Sequence, residues 1–372
     1  MPAREIIRSL DWIAALATAL LVMLGIVMLF STTSDQALLS PLLYRQAISL
    51  IIGSVVYGLI SFVPYHHLRR YALPVYGLAL AALVLVSQIG EVIRGTTSRL
   101  SIMGVQLQPS EFMKVALVLI MAWLFTQNVP WRIRLVLSAL FVWLAVLIIA
   151  LEPDIGMAAL FILFWGAFVF FLGISWRAVA TLGVCGLAVL LAAWRYFLAE
   201  YQRARIITFL NPAGDPLGAG YNIVQSIIAL GSGHWFGRGL GHGPQSQLKF
   251  LPEQHTDFIL ASLGEELGFV GVLLFVSLYS ILLWRILRVA KVTRDQFGLH
   301  LAVGVYLVLL INFFLSASVN MGLVPVTGLP LPLISYGGSN LVSTLALLAI
   351  VQSINLHNKW VRTPPVEIAH LT

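Results

Sequence analysis

Asp257 stands at the head of an apolar run in FLPEQHTDFILASLGEELG, with His255 and Thr256 just before it and Glu265 and Glu266 about two turns further on. A carboxylate at that point is either a favourable partner for a helix dipole or a group able to accept a proton or hold a cation. Glu265 and Glu266, inside a run apolar enough to span a bilayer, need a partner or a cavity. Upstream, six glycines within 231–243 allow close backbone approach to a ligand, while Arg238 and Lys249 supply positive charge. That combination suits an anionic headgroup.

Three more constellations have the same character. In GVQLQPSEFMK, residues 104–114, Ser110 and Glu111 suit a helix N-terminus beside Pro109. Glu111 and Lys114 are three apart and share a helical face, either as a cap with a buried ion pair or as working groups turned into a bundle. In EPDIG, residues 152–156, Glu152 and Asp154 flank Pro153. They punctuate a tight turn, or Asp154 points into a cavity and pairs with Lys114 or a ligand cation. In VPVTGLPLPLISYGGSN, residues 324–340, Pro325, Pro330, Pro332 and the pair Gly337–Gly338 exclude a regular helix. Irregular backbone at membrane depth must be buried or line a cavity, so a plug-like loop beside the site is expected.

The elements that must position these groups follow from composition. Hydrophobic residues make up 59% of the 372 and charged residues 10%, which excludes a water-soluble globular domain. Apolar segments near 12–31, 47–64, 71–89, 111–126, 135–151, 155–174, 178–198, 268–287, 297–319 and 339–356 predict an all-α polytopic membrane protein with about ten transmembrane helices. The N-terminal apolar run is long enough to span and lacks a small-residue cleavage site, so it reads as a retained first helix. Cys185 is the single cysteine and lies in an apolar run, which leaves no disulfide within the chain and no paired-thiolate zinc site.

Charge sets the orientation. With the N-terminus inside, Arg4, Arg8, Arg69, Arg70, Arg132, Arg134, Arg177, Arg285, Arg288, Lys291, Arg294, Lys359 and Arg362 fall on the cytoplasmic side, thirteen of 22 basic residues. Only Glu5, Asp11, Asp295 and Glu367 of the fifteen acids join them, so acid/base or cation chemistry is expected at the outer face. Both termini are then cytoplasmic, 357–372 is a cytoplasmic tail, and 199–256 is a large structured outer loop between helices 7 and 8 of one integral membrane domain spanning 1–372. Its stretch YNIVQSIIAL predicts a short helix lying at the outer interface. The basic residues form no arm or stripe, so nucleic acid is not a partner, and no phosphate-binding glycine loop, metal cluster or nucleophile elbow appears.

QPSEFMK, EPDIG, YQRARI, DPLGAGYNIVQSIIALGSG, FLPEQHTDFILASLGEELG and GLPLPLISYGGSN occur in an order and over a length that resemble the SEDS family of shape, elongation, division and sporulation proteins. The resemblance implies a peptidoglycan glycosyltransferase that polymerises lipid II into β-1,4 glycan strands at the outer face of the cytoplasmic membrane and releases undecaprenyl-diphosphate. It implies that Asp257 is the essential acid and that Glu111, Lys114 and Asp154 match functionally sensitive positions. Leu100 follows Arg99 where the family usually has Trp, and Ser316 stands where it usually has Asn. The implied partners are a class B penicillin-binding protein supplying the transpeptidase and other elongation-complex membrane proteins; the LPEQHTDFI context favours elongation over division.

For such a transfer a base must take the proton of the attacking sugar hydroxyl while cations stabilise the departing diphosphate. Asp257 is the expected base. Arg203, Arg205, Arg238, Lys249 and Lys114 are the candidate cations, with Glu265 and Glu266 in support, and a divalent ion, Mg or Mn, fits the diphosphate although no ligand cluster identifies one. A flippase for lipid-linked sugars would also need many helices and buried charge, but the two inverted halves with matching broken helices typical of transporters are not visible. A non-catalytic scaffold of the cell-wall machinery leaves Glu111, Lys114, Asp154 and Asp257 without a task.

Overall fold

The computed structural model describes residues 10–33, 40–93, 96–102, 105–152, 154–173, 209, 219–248 and 250–358. Its helices in chain order are α1 (Trp12–Thr33), α2 (Pro41–Phe62), α3 (Tyr65–Ile89), α4 (Pro109–Phe125), α5 (Trp131–Leu151), α6 (Ile155–Phe171), α7 (Ala219–Ser232), α8 (Pro244–Gln247), α9 (Ile259–Val292), α10 (Gln296–Asn320) and α11 (Gly338–His357). Nine of the ten expected apolar segments coincide with a helix, and the tenth, 178–198, lies outside the described residues. Seven helices, α1, α2, α3, α5, α9, α10 and α11, are long and apolar enough to cross a membrane. At 17 residues each, α4 and α6 are shorter; at 1.5 Å per residue they reach about 25 Å, just under a ~30 Å hydrocarbon core.

Local chemistry fixes where these helices begin. Ser40 caps α2 by accepting from the Leu43 N–H at 3.3 Å, with Pro41 at the first helical position. Asp154 and Asp295 cap α6 and α10 through the N–H groups of Met157 and Gly298, both at 3.1 Å. The centre of the bundle is α10 and α11, whose side chains are mostly buried; α11 packs on α2, and α4 packs on α3, α10 and α11. The outer surface of α1, α2, α3 and α5 carries Leu16, Ile51, Leu59, Leu78 and Leu151, all exposed. A continuous apolar surface of that kind suits lipid and would be untenable in water.

Between α3 and α4 lies a feature the sequence reading did not contain. Three short strands, β1 (Glu91–Ile93), β2 (Thr96–Ile102) and β3 (Val105–Leu107), form an antiparallel sheet in the order β1-β2-β3, with Ile93 opposite Thr96 and Leu100 opposite Leu107. The segment is too short and polar to register in a search for spanning runs, yet antiparallel pairing satisfies its backbone next to the membrane. It delivers the chain to Gln108 and the start of α4.

α9 is broken near its beginning. Gly268 has φ 67° and ψ −165°, a conformation an L side chain rarely adopts. The backbone groups freed by the kink are taken up by the glycine-rich segment: Arg238 and Gly239 N–H donate to the Glu265 and Glu266 carbonyls at 3.0 Å each, and Phe269 and Val270 N–H donate to His234 and Trp235 carbonyls at 2.8 and 3.1 Å. A kinked helix at membrane depth needs that compensation. Expected span 268–287 therefore begins at the kink, and the preceding turns of α9 form a separate piece that carries Glu265 and Glu266.

Candidate active site

Residues 253–258 and 331–336 are laced together into the walls of a cleft. Tyr336 N–H donates to the His255 carbonyl at 2.8 Å, and Ser335 Oγ donates to the Thr256 carbonyl at 2.6 Å while accepting from Leu331 N–H at 2.8 Å. The proline-rich segment is irregular as expected, with Leu329, Leu331, Leu333 and Ile334 buried. On the other side, buried Asn320 at the end of α10 donates to the Asp257 carbonyl at 2.8 Å and accepts from Ala261 N–H at 3.0 Å. Asn320 thus fixes the turn that presents Asp257. Its only signal in the sequence is an asparagine closing an apolar helix.

The N-cap position of α9 is Phe258, which makes no side-chain cap bond, and Asp257 precedes it by one residue. Asp257 lines a cleft together with Arg45, Ser49, Gln108, Thr256 and Tyr336. The start of α11, Gly337 to Asn340, closes it. The cavity is a partly open cleft of about 70 Å³. Arg45 was not among the expected cations, because a lone arginine early in an apolar helix has no motif around it; only the packing of α2 on α11 brings it to the cleft that Asp257 lines.

Below this cleft sits the Glu111–Lys114 pair. Its N–O distance is 2.5 Å and each side chain is 1% exposed. Ser343 Oγ donates to Glu111 Oε2 at 2.9 Å, and Lys114 Nζ donates to Asn340 Oδ1 at 3.4 Å. Asn340 also lines the cleft, so the pair supports the cleft from beneath. Lys114 is thus spent on Glu111, and the expected pairing of Asp154 with Lys114 does not form: the carboxylate three residues away on the same helix takes the ammonium first. Asp154 caps α6 and accepts from Gln108 Nε2 at 3.3 Å. Gln108 is a wall of the cleft, and Ser339 Oγ, accepting from its N–H at 2.9 Å, ties it to α11. Asp154 therefore reaches the site through Gln108.

Glu265 and Glu266 face the chain itself. Glu265 accepts from Gln245 and Ser246 N–H at 2.8 and 2.9 Å, and Glu266 accepts from Ser31 Oγ, Ser246 Oγ and Gln247 Nε2 at 2.5, 3.2 and 3.3 Å. They fasten the loop before α9 to α1. The glycines between them are likewise used by the fold: a Cβ on Gly233 would lie 1.8 Å from the Gly264 carbonyl oxygen, and one on Gly237 would lie 2.1 Å from that of Glu266. At Gly233 and Gly237 the close approach is that of the kinked helix, whereas Gly231 has nothing within 4 Å. Arg238 is exposed and does not line the Asp257 cleft. Arg203, Arg205 and Lys249 lie outside the described residues.

Glu152, in the turn between α5 and α6, is fully buried, and neither carboxylate oxygen has a hydrogen-bond partner. Burial, with a smaller contribution from the neighbouring Asp154 charge, pushes its carboxyl up to about 8. Among the described residues no three His, Cys, Asp or Glu side chains gather as a metal cage. Among the described residues of the cleft Asp257 is the one carboxylate, accompanied by the oxygen atoms of Gln108, Ser339 and Asn340.

Residues 11–360 match the family model FTSW_RODA_SPOVE, described as cell cycle protein. The peptidoglycan glycosyltransferase MrdB of Escherichia coli K12 is 39% identical over 318 residues, 85% of this chain and 86% of the relative. The solved rod shape determining protein RodA of Thermus thermophilus is 29% identical with a TM-score of 0.70, covering 94% of this chain and 97% of the other. A chain from a solved peptidoglycan synthase complex, described as coordinating polymerization and crosslinking, is 34% identical with a TM-score of 0.78, covering 93% and 97%.

Proposed function

The chain belongs to the FtsW, RodA and SpoVE family of cell cycle proteins, and from that premise we propose how it works as a peptidoglycan glycosyltransferase: it polymerises lipid II at the cleft bearing Asp257, in the elongation role. The juxtaposition of Asp257 and Arg45 on one cleft carries this reading. The new bond joins a sugar hydroxyl oxygen to the anomeric carbon as the bond from that carbon to the diphosphate oxygen breaks. Asp257 accepts the hydroxyl proton, and the Arg45 guanidinium receives the charge of the departing diphosphate. Gln108, held by Asp154 and Ser339, orients polar groups of the sugar. A hard divalent ion such as Mg or Mn would be held by Asp257 and the diphosphate oxygens, matching the oxygen donors of the cleft, and would supply further charge neutralisation.

The positive-inside distribution supports a cytoplasmic membrane location with the cleft on the outer face, where lipid II presents its sugars, and both termini inside. The described portion of 199–256, including α7, then lies at that outer face, with Val224, Ile227 and Ile228 exposed toward lipid. The synthase complex among the similar structures supports a crosslinking transpeptidase of the class B penicillin-binding type as partner. Lipid II polymerisation by the purified complex, resolved on a gel, tests the reading. Asp257→Asn keeps shape but loses the basic carboxylate, and product should fall about 10²–10⁴-fold with partner binding intact. Near-normal product from Asp257→Asn would remove the proposed base.

A further inference from the structure

A second cavity of about 530 Å³ opens at the other end of the bundle. α4 starts at the Asp257 cleft and ends at this one, so they lie about 25 Å apart along 17 residues of helix. Its polar lining consists chiefly of Arg134, His300, Gln127, Asn128 and Gln296, with Trp131 beside them and no carboxylate among the described lining residues. The nearest acid in sequence, Asp295, is occupied by the Tyr65 hydroxyl and the Gly298 N–H.

Two observations point to a ligand. His300 is 5% exposed, packed against the rings of Phe125 and Phe168, and its Nδ1 has no hydrogen-bond partner. That nitrogen is itself sealed from solvent, so a ligand in the cavity meets it only after a small turn of the ring, which would relieve the cost of leaving it unpaired. Arg134 donates Nε to the Val129 carbonyl at 2.9 Å and Nη1 to the Phe125 carbonyl at 3.1 Å, which uses two of its five N–H donors and holds the guanidinium in a fixed pose. Trp131 is 57% exposed with Arg132 stacked over its ring at 5.7 Å, the kind of aromatic and basic pair that marks a membrane–water boundary. Phe125, Leu135 and Leu172 make an apolar wall beside the polar groups.

We propose that this cavity binds the phosphate of an anionic phosphate ester, with Arg134 taking the charge and His300 and the amides of Gln127 and Gln296 completing the contacts. A fixed guanidinium, neutral donors, an apolar wall and a position at the helix ends match a glycerophospholipid headgroup, and inorganic phosphate shares the recognising chemistry. The site is separate from the Asp257 cleft and its existence does not depend on the glycosyltransferase reading.

The full chain in detergent should retain added dioleoyl phosphatidylglycerol in native mass spectrometry and gain thermal stability from it, with dioleoyl phosphatidylcholine doing neither. A parallel titration with inorganic phosphate separates the sources: stabilisation by phosphatidylglycerol alone assigns a lipid headgroup, and stabilisation by both assigns the phosphate itself. No effect of either overturns the proposal. Arg134→Gln also removes a cap from α4, so His300→Phe is the cleaner variant. It keeps the aromatic packing, and should weaken phosphatidylglycerol binding at least tenfold while unfolding in phosphatidylcholine at the same or a higher temperature. Arg288→Gln, at an exposed arginine outside the cavity, should bind as the parent does. Unchanged binding in both Arg134→Gln and His300→Phe overturns the site.

Discussion

Lys114→Met removes one member of an ion pair that is sealed from solvent. The surviving carboxylate of Glu111 would keep a single donor, Ser343 Oγ at 2.9 Å, and its Oε1 has no partner even in the intact protein. Breaking a buried pair in this way typically costs about 3–5 kcal/mol. Glu111→Gln is the reciprocal test. It leaves the ammonium with Asn340 Oδ1 at 3.4 Å, a long contact that compensates little, so the loss should be of similar size. The double change Glu111→Gln/Lys114→Met removes both charges and both desolvation penalties. It should lie within about 1–2 kcal/mol of the parent, giving a coupling on the order of 3 kcal/mol or more. Thermal unfolding of the four proteins in one detergent, with lipid II polymerisation measured on each, provides the cycle. Because Asn340 touches the pair and also lines the Asp257 cleft, the double variant should recover stability more fully than activity. A Lys114→Met protein as stable as the parent, or a double variant whose loss is the sum of the two singles, would refute the claim that these charges hold each other.

Arg45→Gln should leave expression and thermal stability close to normal, since the side chain is exposed to the cleft, while polymerisation falls at least tenfold; normal turnover would exclude Arg45 from diphosphate stabilisation. Glu152 gives a pH signature. Its carboxyl is pushed up from 4.5 to about 8, so the folded state holds the proton more tightly than the unfolded one, and the contribution of Glu152 to stability is fully present below about pH 4.5 and is lost as pH rises toward 8. Glu152→Gln should remove that slope and stabilise the protein at pH 8 by a few kcal/mol at most, about 1.4 per pKa unit; a melting-temperature difference between parent and variant that is the same at pH 5 and pH 8 would contradict it. For topology in a Cys185→Ser background, a cysteine at Phe236, 82% exposed, should react with an impermeant thiol reagent in intact spheroplasts, whereas one at Arg132 should react only after permeabilisation.

The helices, their approximate limits and the residue types of the site were legible in the sequence because a bilayer imposes a one-dimensional rule: about twenty apolar residues make a span wherever they occur. Pairing of Glu111 with Lys114 was legible for a similar reason, since three residues on a helix fix neighbours without reference to the rest of the fold. The irregular backbone of 324–340 followed from its prolines. None of these readings needed a distant contact.

What the tertiary structure decided depends on contacts between residues far apart in the chain. Ser339 meets Gln108 across 231 positions and Ser31 meets Glu266 across 235, and no local spacing encodes either. Contacts of this kind engage Glu265 and Glu266, with Gly233 and Gly237, in fastening a kinked helix, and send Asp154 to Gln108 instead of Lys114. Helix packing also brought Arg45, which lacks any sequence motif, to the cleft that Asp257 lines. Local chemistry states which groups a segment offers and how they are spaced along it; which groups meet is set by the packing of whole helices, whose close-fitting side chains admit only one mutual arrangement of their ends.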